Sequence, residues 1–304
     1  MLDLSVNIGS VPLRSPVIIA SGTWGYDESL WREDLLRHVG AVCSKAITES
    51  PKDGNPGHRI WETPCGLLNS IGLQNTGIDD FVDEKVPKLK SYGVPIIANV
   101  SMEDEIGLVR MVERLVEVAD CVDAIELNVS CPNVDKGCMS WGVSPVLTSQ
   151  AVSMVREIWK GPLWVKMTPQ APDPEGVARA AEDSGADALV VANTWLGMAI
   201  DVDGKKAVFD RVVAGFSGPA VFPMALRLVW QVSAAVSIPV IGCGGVSSGR
   251  DLLSMIMAGA TAVELGTGMF RDIRLPENIL REVKAYMTKE KVEDLRSLVG
   301  IAKR

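Results

Sequence analysis

At 304 residues, of which 47% are apolar and 22% charged, the chain is long for one ordinary domain and can bury a large core. Its net charge of −8 argues against nucleic acid or an anionic membrane surface as a partner. The first residues lack a basic region followed by an apolar run, and no apolar stretch is long enough to span a bilayer, so we expect neither a signal peptide nor a membrane segment.

The cysteines and histidines bound the chemistry further. The cysteines show neither a CxxC spacing nor a paired framework, and they are Cys43, Cys65, Cys121, Cys131, Cys138 and Cys243. This usage predicts reduced thiols in a cytoplasm. With His38 and His58 as the two histidines, we predict no histidine-based metal site.

The chain then alternates regularly between strands and helices. A small hairpin is expected near residues 4–11, ended by Pro12. Buried strands are predicted at 17–20, 41–45, 95–99, 123–129, 163–166, 188–193, 239–242 and 262–266. Helices are predicted at 28–38, 79–91, 103–118, 149–159, 175–184, 221–236, 249–258 and 276–287. Continuous Val, Ile and Ala runs indicate strands covered on both faces, so we predict a (β/α)8 TIM barrel, a single α/β domain over 1–304.

Two long insertions interrupt this alternation, at 46–78 and 195–220. The first is rich in Gly, Pro and Asn and contains Leu68-Asn-Ser-Ile-Gly-Leu-Gln-Asn75. Long loops in a compact domain are usually functional. We therefore expect both insertions to lie over the carboxyl-terminal face of the barrel, where active sites of this fold lie.

The strand at 123–129 runs into a loop that carries a thiol between two amides. Pro132 ends the strand, and Cys131 stands between Asn128 and Asn133. Amides at this spacing can pair with a planar, amide-containing ligand, and an ionised thiol can accept a proton or act as a nucleophile. The alternative is a plain strand end with a half-buried cysteine and turn-forming asparagines.

Every predicted barrel strand ends in polar residues or glycines. These are Ser21, Lys45, Asn99, Asn128, Lys166, Asn193 with Thr194, Gly244 with Gly245, and Gly266 with Thr267. Two lysines that emerge directly from buried strands need an anionic partner, which favours a binding site over surface residues with extended side chains.

The glycines after the last two strands predict a phosphate site. Ile241-Gly-Cys-Gly-Gly-Val-Ser-Ser-Gly249 opens a helix, and Leu265-Gly-Thr-Gly268 follows the next strand. Plain tight turns and part of a dinucleotide fingerprint are the rival interpretations, but no acidic residue ends a matching second strand. A phosphate here with lysines across the mouth is compatible with FMN or pyridoxal phosphate, and two lysines plus amides suit FMN better.

These motifs together resemble the dihydroorotate dehydrogenase family, specifically the catalytic subunit of its FMN-containing, NAD-linked class 1B. The resemblance covers nearly the whole chain. Its marks are Pro16-Val-Ile-Ile-Ala-Ser-Gly22, Leu68 to Asn75, Glu126-Leu-Asn-Val-Ser-Cys-Pro-Asn133, Trp164-Val-Lys166, Asn193-Thr194, Phe216-Ser-Gly-Pro219, Cys243-Gly-Gly245 and Gly266-Thr267. Class 2 members carry a serine at the base position and an N-terminal membrane segment, and the Ser-Gly-Pro stretch is similar to class 1B rather than 1A.

The resemblance implies roles for individual residues. One FMN per chain would be held by Ser21, Lys45, Ala46, Asn99, Asn128, Lys166, Gly218, Gly244, Gly245, Gly266 and Thr267. Dihydroorotate would be held by Lys45, Asn69, Ser70, Ile71, Gly72, Leu73, Asn128, Asn133, Asn193 and Thr194. Cys131 would be the general base. A homodimer would lie within a heterotetramer whose partner subunit carries FAD and [2Fe–2S] and reduces NAD.

The chain departs from the family pattern at Cys65, Thr76, Cys138 and Trp141, and in detail across 195–215. These departures leave the flavin set intact and concern the loop over the substrate. Three alternatives stay open: a dihydropyrimidine dehydrogenase acting on dihydrouracil, a barrel that binds flavin only as a scaffold, and an aldolase-type barrel using Lys166 as a Schiff base.

Overall fold

A closed parallel barrel forms the centre of the molecule. The computed structural model describes residues 2–26, 28–130 and 141–303. Its strands are, in chain order, β1 (Val6–Ile8), β2 (Val11–Leu13), β3 (Val17–Ile19), β4 (Ala41–Cys43), β5 (Ile60–Thr63), β6 (Gly66–Asn69), β7 (Ile96–Ser101), β8 (Ala124–Asn128), β9 (Leu163–Lys166), β10 (Ala188–Val191), β11 (Trp195–Met198), β12 (Ile200–Asp201), β13 (Lys206–Ala207), β14 (Val213–Ser217), β15 (Val240–Cys243) and β16 (Ala262–Leu265). The barrel order is β10-β15-β16-β3-β4-β7-β8-β9, which confirms the predicted eight-stranded (β/α)8 fold.

Helices connect the barrel strands. They are α1 (Glu33–Leu36), α2 (Gly77–Asp80), α3 (Val86–Lys90), α4 (Glu105–Val116), α5 (Pro145–Ile158), α6 (Pro174–Asp183), α7 (Phe222–Ala235), α8 (Gly249–Met257), α9 (Gly268–Arg271) and α10 (Leu275–Glu290). A π-helical segment, Phe81–Lys85, joins α2 to α3, and 3-10 turns lie at Glu28–Leu30, Trp141–Val143, Pro219–Val221, Leu295–Leu298 and Ile301–Lys303.

Most helix bounds agree with the prediction to within a turn, and two differ for visible reasons. The helix predicted at 28–38 is a 3-10 turn followed by the single turn α1, because Arg32 between them is extended, with ψ at 144°. The helix predicted to begin at 149 begins at Pro145, because the Ser144 side chain caps it by accepting from the Leu147 backbone N–H.

The core has two parts that follow from the alternation of side chains along each strand. Residues that point outward, such as Ile125 and Val263, pack with the helices in one large cluster. Residues that point inward, such as Trp164 and Ile241, pack in a second cluster. The hairpin β1–β2 adds its apolar side chains to this inner cluster, so it covers the amino-terminal end of the barrel.

The two insertions pair with each other rather than forming irregular loops. β5, β6, β14 and β11 make one antiparallel sheet in which Leu68 lies opposite Phe216. The expected functional loops therefore contain a small sheet at the carboxyl-terminal face. A pairing between residues nearly 150 positions apart leaves no local signal, which explains why the sequence did not predict it.

Candidate active site

A cavity of about 660 Å³ opens at the carboxyl-terminal ends of the barrel strands, walled on one side by the insertion sheet. This volume lies within the range that is usual for small-molecule and cofactor sites. Ten of the eleven predicted cofactor residues line it: Ser21, Lys45, Ala46, Asn128, Lys166, Gly218, Gly244, Gly245, Gly266 and Thr267. So do nine of the ten predicted substrate residues: Lys45, Asn69, Ser70, Ile71, Gly72, Leu73, Asn128, Asn193 and Thr194.

Three predicted residues stand apart from this set. Asn99 is fully buried and is not among the lining residues, because its amide nitrogen donates to Glu126 Oε1 at 2.5 Å inside the barrel. Cys131 and Asn133 lie outside the described residues. The roles assigned to all three stay predictions.

The glycines after β15 and β16 shape one end of the cavity. Gly244 and Gly245 have φ values of +136° and +76°, which side chains rarely adopt. A Cβ added at Gly266 would meet nothing closer than Ala20 Cβ at 3.9 Å and Thr23 Oγ1 at 4.0 Å, so it would project into the cavity. The backbone at Gly266 is thus open to a ligand, as a phosphate site needs, whereas a Cβ at Gly244 or Gly245 would lie 2.8 Å from Ala225 Cβ or 2.7 Å from Phe222 Cβ.

A hydrogen-bonded chain fixes the orientation of two cavity amides. Asn193 Nδ2 donates to Ser130 Oγ at 2.6 Å, and Ser130 Oγ donates to Asn128 Oδ1 at 2.6 Å. Asn193 Oδ1 also accepts from the Thr194 backbone N–H. Since Ser130 is buried, this series of hydrogen bonds holds the Asn128 and Asn193 amides in one orientation toward the cavity.

Beneath the cavity, six barrel strands each contribute one polar inward-facing side chain. We call this set the polar layer, and its members are Cys43, Asn99, Glu126, Lys166, Cys243 and Glu264. Each follows by two positions an inward apolar residue of the inner cluster, namely Ala41, Ile97, Ala124, Trp164, Ile241 and Ala262. The period of two along a strand therefore places these polar side chains together on top of the apolar interior.

Lys166 joins the polar layer to the cavity. Its Nζ lies 2.6 Å from Glu264 Oε2 and 3.4 Å from Glu126 Oε1, and Lys166 also lines the cavity. Burial alone would lower the pKa of Lys166, but the two carboxyl groups raise it well above its ordinary value. Lys166 is therefore a fixed ammonium ion, which argues against the Schiff-base alternative because that chemistry needs a neutral amine.

The two acids of the polar layer differ in their protonation. Burial, followed by the charge of Glu126, raises the pKa of Glu264 to about 8. Burial acts on Glu126 as well, but Lys166 and hydrogen bonds from Glu264, Asn99 and Cys43 outweigh it and lower the pKa of Glu126. At neutral pH the pair thus holds one proton, assigned to Glu264.

The thiols of the polar layer stay protonated. Burial raises the pKa of Cys243 to about 12, and burial together with Glu126 raises the pKa of Cys43 well above its ordinary value. Cys43 donates to Glu126 Oε1 at 3.4 Å. Cys43, Glu126 and Glu264 each offer an atom within 4.8 Å of the others, the spacing of a metal site, but the Lys166 ammonium ion occupies the position of positive charge.

Comparison with known proteins agrees with this architecture. The family model described as dihydroorotate dehydrogenase matches residues 3–287. The chain is 42% identical over 302 residues to a protein of Thermoanaerobacter sp. (strain X514), with 99% of each chain covered. It is 44% identical over 301 residues to a protein of Geobacter metallireducens (strain ATCC 53774 / DSM 7210 / GS-15), covering 98% of this chain and 97% of the other. Both are named dihydroorotate dehydrogenase B (NAD(+)), catalytic subunit.

The chain belongs to the dihydroorotate dehydrogenase family. Membership implies a flavin cofactor. The fold agrees as well, since the crystal structure of an Eimeria tenella dihydroorotate dehydrogenase in complex with ferulenol superposes with a TM-score of 0.84 at 20% identity, covering 99% of this chain and 89% of the other. Within residues 2–26, 28–130 and 141–303, every helix is too short or too polar to cross a membrane.

The structure also reveals site residues that the dihydroorotate dehydrogenase motifs did not indicate. Trp195, Arg211 and Phe216 line the cavity from the insertions. Glu126 and Glu264 stand beneath it in the polar layer. Their signal was present in the sequence, because a glutamate inside an otherwise apolar strand requires a buried partner.

Proposed function

We propose that this chain oxidises dihydroorotate to orotate in pyrimidine biosynthesis, with FMN as the resident cofactor. The observation that supports this most directly is that a single cavity brings together the glycine turns, a fixed ammonium ion and oriented amides. An anionic, amide-edged pyrimidine and a flavin need this combination of groups.

The cavity suits FMN in the chemistry of its donors. Backbone N–H groups at Gly244–Gly245 and Gly266–Thr267 border the end expected to hold the phosphate. Ser21, Ala46 and Gly218 would line the ring system, and Lys166 would stand where negative charge develops. When bound, FMN would supply a hydride acceptor at N5 of its ring.

The substrate would be held by amides and one cation. Asn69, Asn128, Asn193 and Lys45 line the cavity. Their amides would pair with the amide edges of the substrate, and the Lys45 ammonium group would contribute positive charge toward its carboxylate. The Asn193–Ser130–Asn128 chain keeps two of those amides aligned before the substrate arrives. Asn133 would add a further amide, as the family resemblance implies.

Cys131 would take the proton from C5 of the substrate. A thiol is a competent base only as thiolate, so the surroundings of Cys131 must favour ionisation during turnover. Cys131 directly follows Ser130 in the chain. Asn99, Asn128 and Lys166 would complete the flavin set.

Electrons would leave through another molecule. The relatives are named as the catalytic subunit of an NAD(+)-linked enzyme, which supports a partner subunit here. We propose that residues 1–304 act as a single FMN-binding domain in the cytoplasm, as a homodimer within a heterotetramer. The partner would carry FAD and [2Fe–2S] and pass electrons to NAD.

The test is a visible spectrum of the purified protein under anaerobic conditions. Dihydroorotate should bleach the bound flavin, and dihydrouracil should not. Orotate should perturb the oxidised spectrum, whereas uracil should leave it unchanged. Bleaching by dihydrouracil alone would support a dihydropyrimidine dehydrogenase, and bleaching by neither compound would support a flavin-binding scaffold.

A further inference from the structure

Two buried carboxyl groups in the polar layer are positioned to share a proton. Glu126 and Glu264 both lie at the Lys166 ammonium group, and one carboxyl oxygen of each lies within 4.8 Å of the other. In the described part of the chain, Glu126 Oε2 and Glu264 Oε1 are buried and have no hydrogen-bonding partner. Two carboxylates cannot hydrogen-bond without a proton, so one proton between them would satisfy an otherwise unpartnered oxygen on each.

The charge balance of the polar layer also indicates one proton on the acid pair. Both side chains are buried, and Lys166 contributes one positive charge against them. With both acids ionised the layer would carry a net negative charge in a low-dielectric interior. With one proton on the pair, the layer is neutral.

The remaining neighbours do not alter that count. Cys43 on β4 and Cys243 on β15 face Glu126 and Glu264, and burial keeps both thiols protonated. Asn99 on β7 is uncharged, and β3 and β10 present the aliphatic Ile18 and Val190 to the interior. The titration of the layer near neutral pH therefore belongs to the acid pair.

We propose that Glu126 and Glu264 are positioning residues that hold one proton beneath Lys166 and bind or release it as negative charge enters or leaves the cavity. This inference rests on the proposed function, in which hydride transfer brings two electrons and one negative charge next to Lys166. The proton on the pair comes from solvent. It is separate from the C5 proton, which goes to the base.

The consequence is a pH-dependent reduction potential. Above about pH 8 the pair has lost its proton, so added negative charge in the cavity draws one back. Reduction would then take up one further proton per two electrons. The midpoint potential of bound FMN should therefore fall more steeply as pH rises. Below that pH the pair is already protonated and adds nothing to the slope.

Glu264→Gln and Glu126→Gln both test the pair. Each variant leaves one carboxylate facing the Lys166 ammonium ion, and this pair is neutral without a bound proton. In each variant the slope of midpoint potential against pH should therefore keep its low-pH value at all pH values. Glu264→Asp retains a carboxyl group and should retain a steeper branch. The control is Glu157→Gln on the exposed face of α5, which should behave as the unmodified protein.

An infrared titration provides a second reading that does not depend on turnover. In the full chain, with and without FMN, the C=O band of a protonated carboxyl group should disappear as pH rises through about 8. That band should be missing in both glutamine variants. If Glu264→Gln does not fold, Glu126→Gln and the unmodified protein still decide the matter.

The outcomes separate the two proposals. Plots of midpoint potential against pH could run parallel for the unmodified protein and Glu264→Gln while dihydroorotate still bleaches the flavin. That result would overturn the proposed role of the acid pair and leave the proposed function intact. A protein that shows no bleaching would contradict the proposed function, and the infrared titration of the flavin-free chain would then decide the acid pair alone.

Discussion

Lys166 Nζ lies 2.6 Å from Glu264 Oε2, across the inside of the barrel, although the residues are 98 positions apart in sequence. Their strands, β9 and β16, are not neighbours in the barrel, so the contact depends on closure of the sheet. Removing one partner of a buried ion pair leaves an uncompensated charge, whereas a neutral isostere of the protonated acid does not.

Glu264→Gln should therefore change how stability depends on pH. Between its ordinary pKa of 4.5 and about 8, the folded chain binds more protons at Glu264 than the unfolded chain, so this group lowers stability as pH rises through that window. The glutamine variant lacks this decline, and its stability relative to the unmodified protein should increase from about pH 5 to about pH 8. Denaturant unfolding at several pH values measures it.

Glu126 does not confound this comparison. Its pKa is lowered, so its contribution to stability is lost only as pH falls below 4.5, outside that window. A stability difference between the two proteins that stays constant from about pH 5 to about pH 8 would contradict a raised pKa at Glu264.

Gly266→Val should abolish retention of FMN while the protein still folds. The added Cβ would make only ordinary van der Waals contacts, 3.9 Å from Ala20 Cβ and 4.0 Å from Thr23 Oγ1, so the loss would report on the ligand. Gly245 is a less clean choice, because a Cβ there would lie 2.7 Å from the Phe222 backbone nitrogen at the start of α7. The ratio of flavin to protein absorbance after purification measures retention.

The matched control is Gly93→Ala, where an added Cβ meets nothing within 4 Å. Because Gly93 has a positive φ, this control carries backbone strain that Gly266→Val does not. Full flavin content in Gly266→Val would show that the cofactor lies elsewhere.

Ser130→Ala should weaken substrate binding more than flavin binding. The change removes the acceptor of Asn193 and the donor to Asn128, so both amides lose their fixed orientation. We expect KM for dihydroorotate to rise roughly 5- to 30-fold, equivalent to about 1–2 kcal/mol. Ser254→Ala, which removes a hydroxyl bonded within its own helix, should leave KM unchanged. An unchanged KM in Ser130→Ala would argue against the role of this chain of hydrogen bonds.

Cys131→Ala should bind FMN and orotate but reduce its flavin slowly. Loss of a general base typically costs about 10²–10⁴-fold in rate. Stopped-flow measurement of flavin bleaching by dihydroorotate gives that rate. Cys138→Ala is the control and should react at a nearly normal rate; the reverse pattern would reassign the base to Cys138.

The isolated chain should reduce its flavin with dihydroorotate yet show negligible turnover with NAD. Its sequence lacks a dinucleotide fingerprint and the clustered cysteines of an iron–sulfur centre. An artificial dye acceptor should restore cycling. Rapid NAD reduction by the chain without a second protein would refute the proposed electron outlet.

The sequence predicted the barrel well because its evidence is local. Apolar runs such as 163–166 and the polar residues that end them identify strands and their carboxyl ends without knowledge of the rest of the chain. Asn99 shows the limit of that reasoning. It ends the predicted apolar run 95–99, but its amide also donates to Glu126 Oε1, a contact with a residue of another strand that the run does not reveal.

What the sequence could not predict depends on contacts between distant segments. Each insertion has a strand pair of its own, β5 with β6 and β11 with β14, but the β6–β14 pairing that joins them into one sheet links residues nearly 150 positions apart. Glu264 is visible as a charge inside an apolar strand, but its partners come from β8 and β9. Only closure of the barrel brings them together.

The hairpin β1–β2 has a consequence for how the buried acids exchange with solvent. The hairpin fills the amino-terminal end of the barrel with apolar side chains, those of Val6, Ile8, Val11 and Leu13. The route from water to Glu264 therefore passes through the cavity at the opposite end. A bound cofactor would occupy the cavity and block this route between solvent and the acids. Proton exchange between the acids and solvent should then be slow in the protein with bound cofactor and fast in the empty protein. The cofactor would thus control the rate at which the acid pair changes its protonation state.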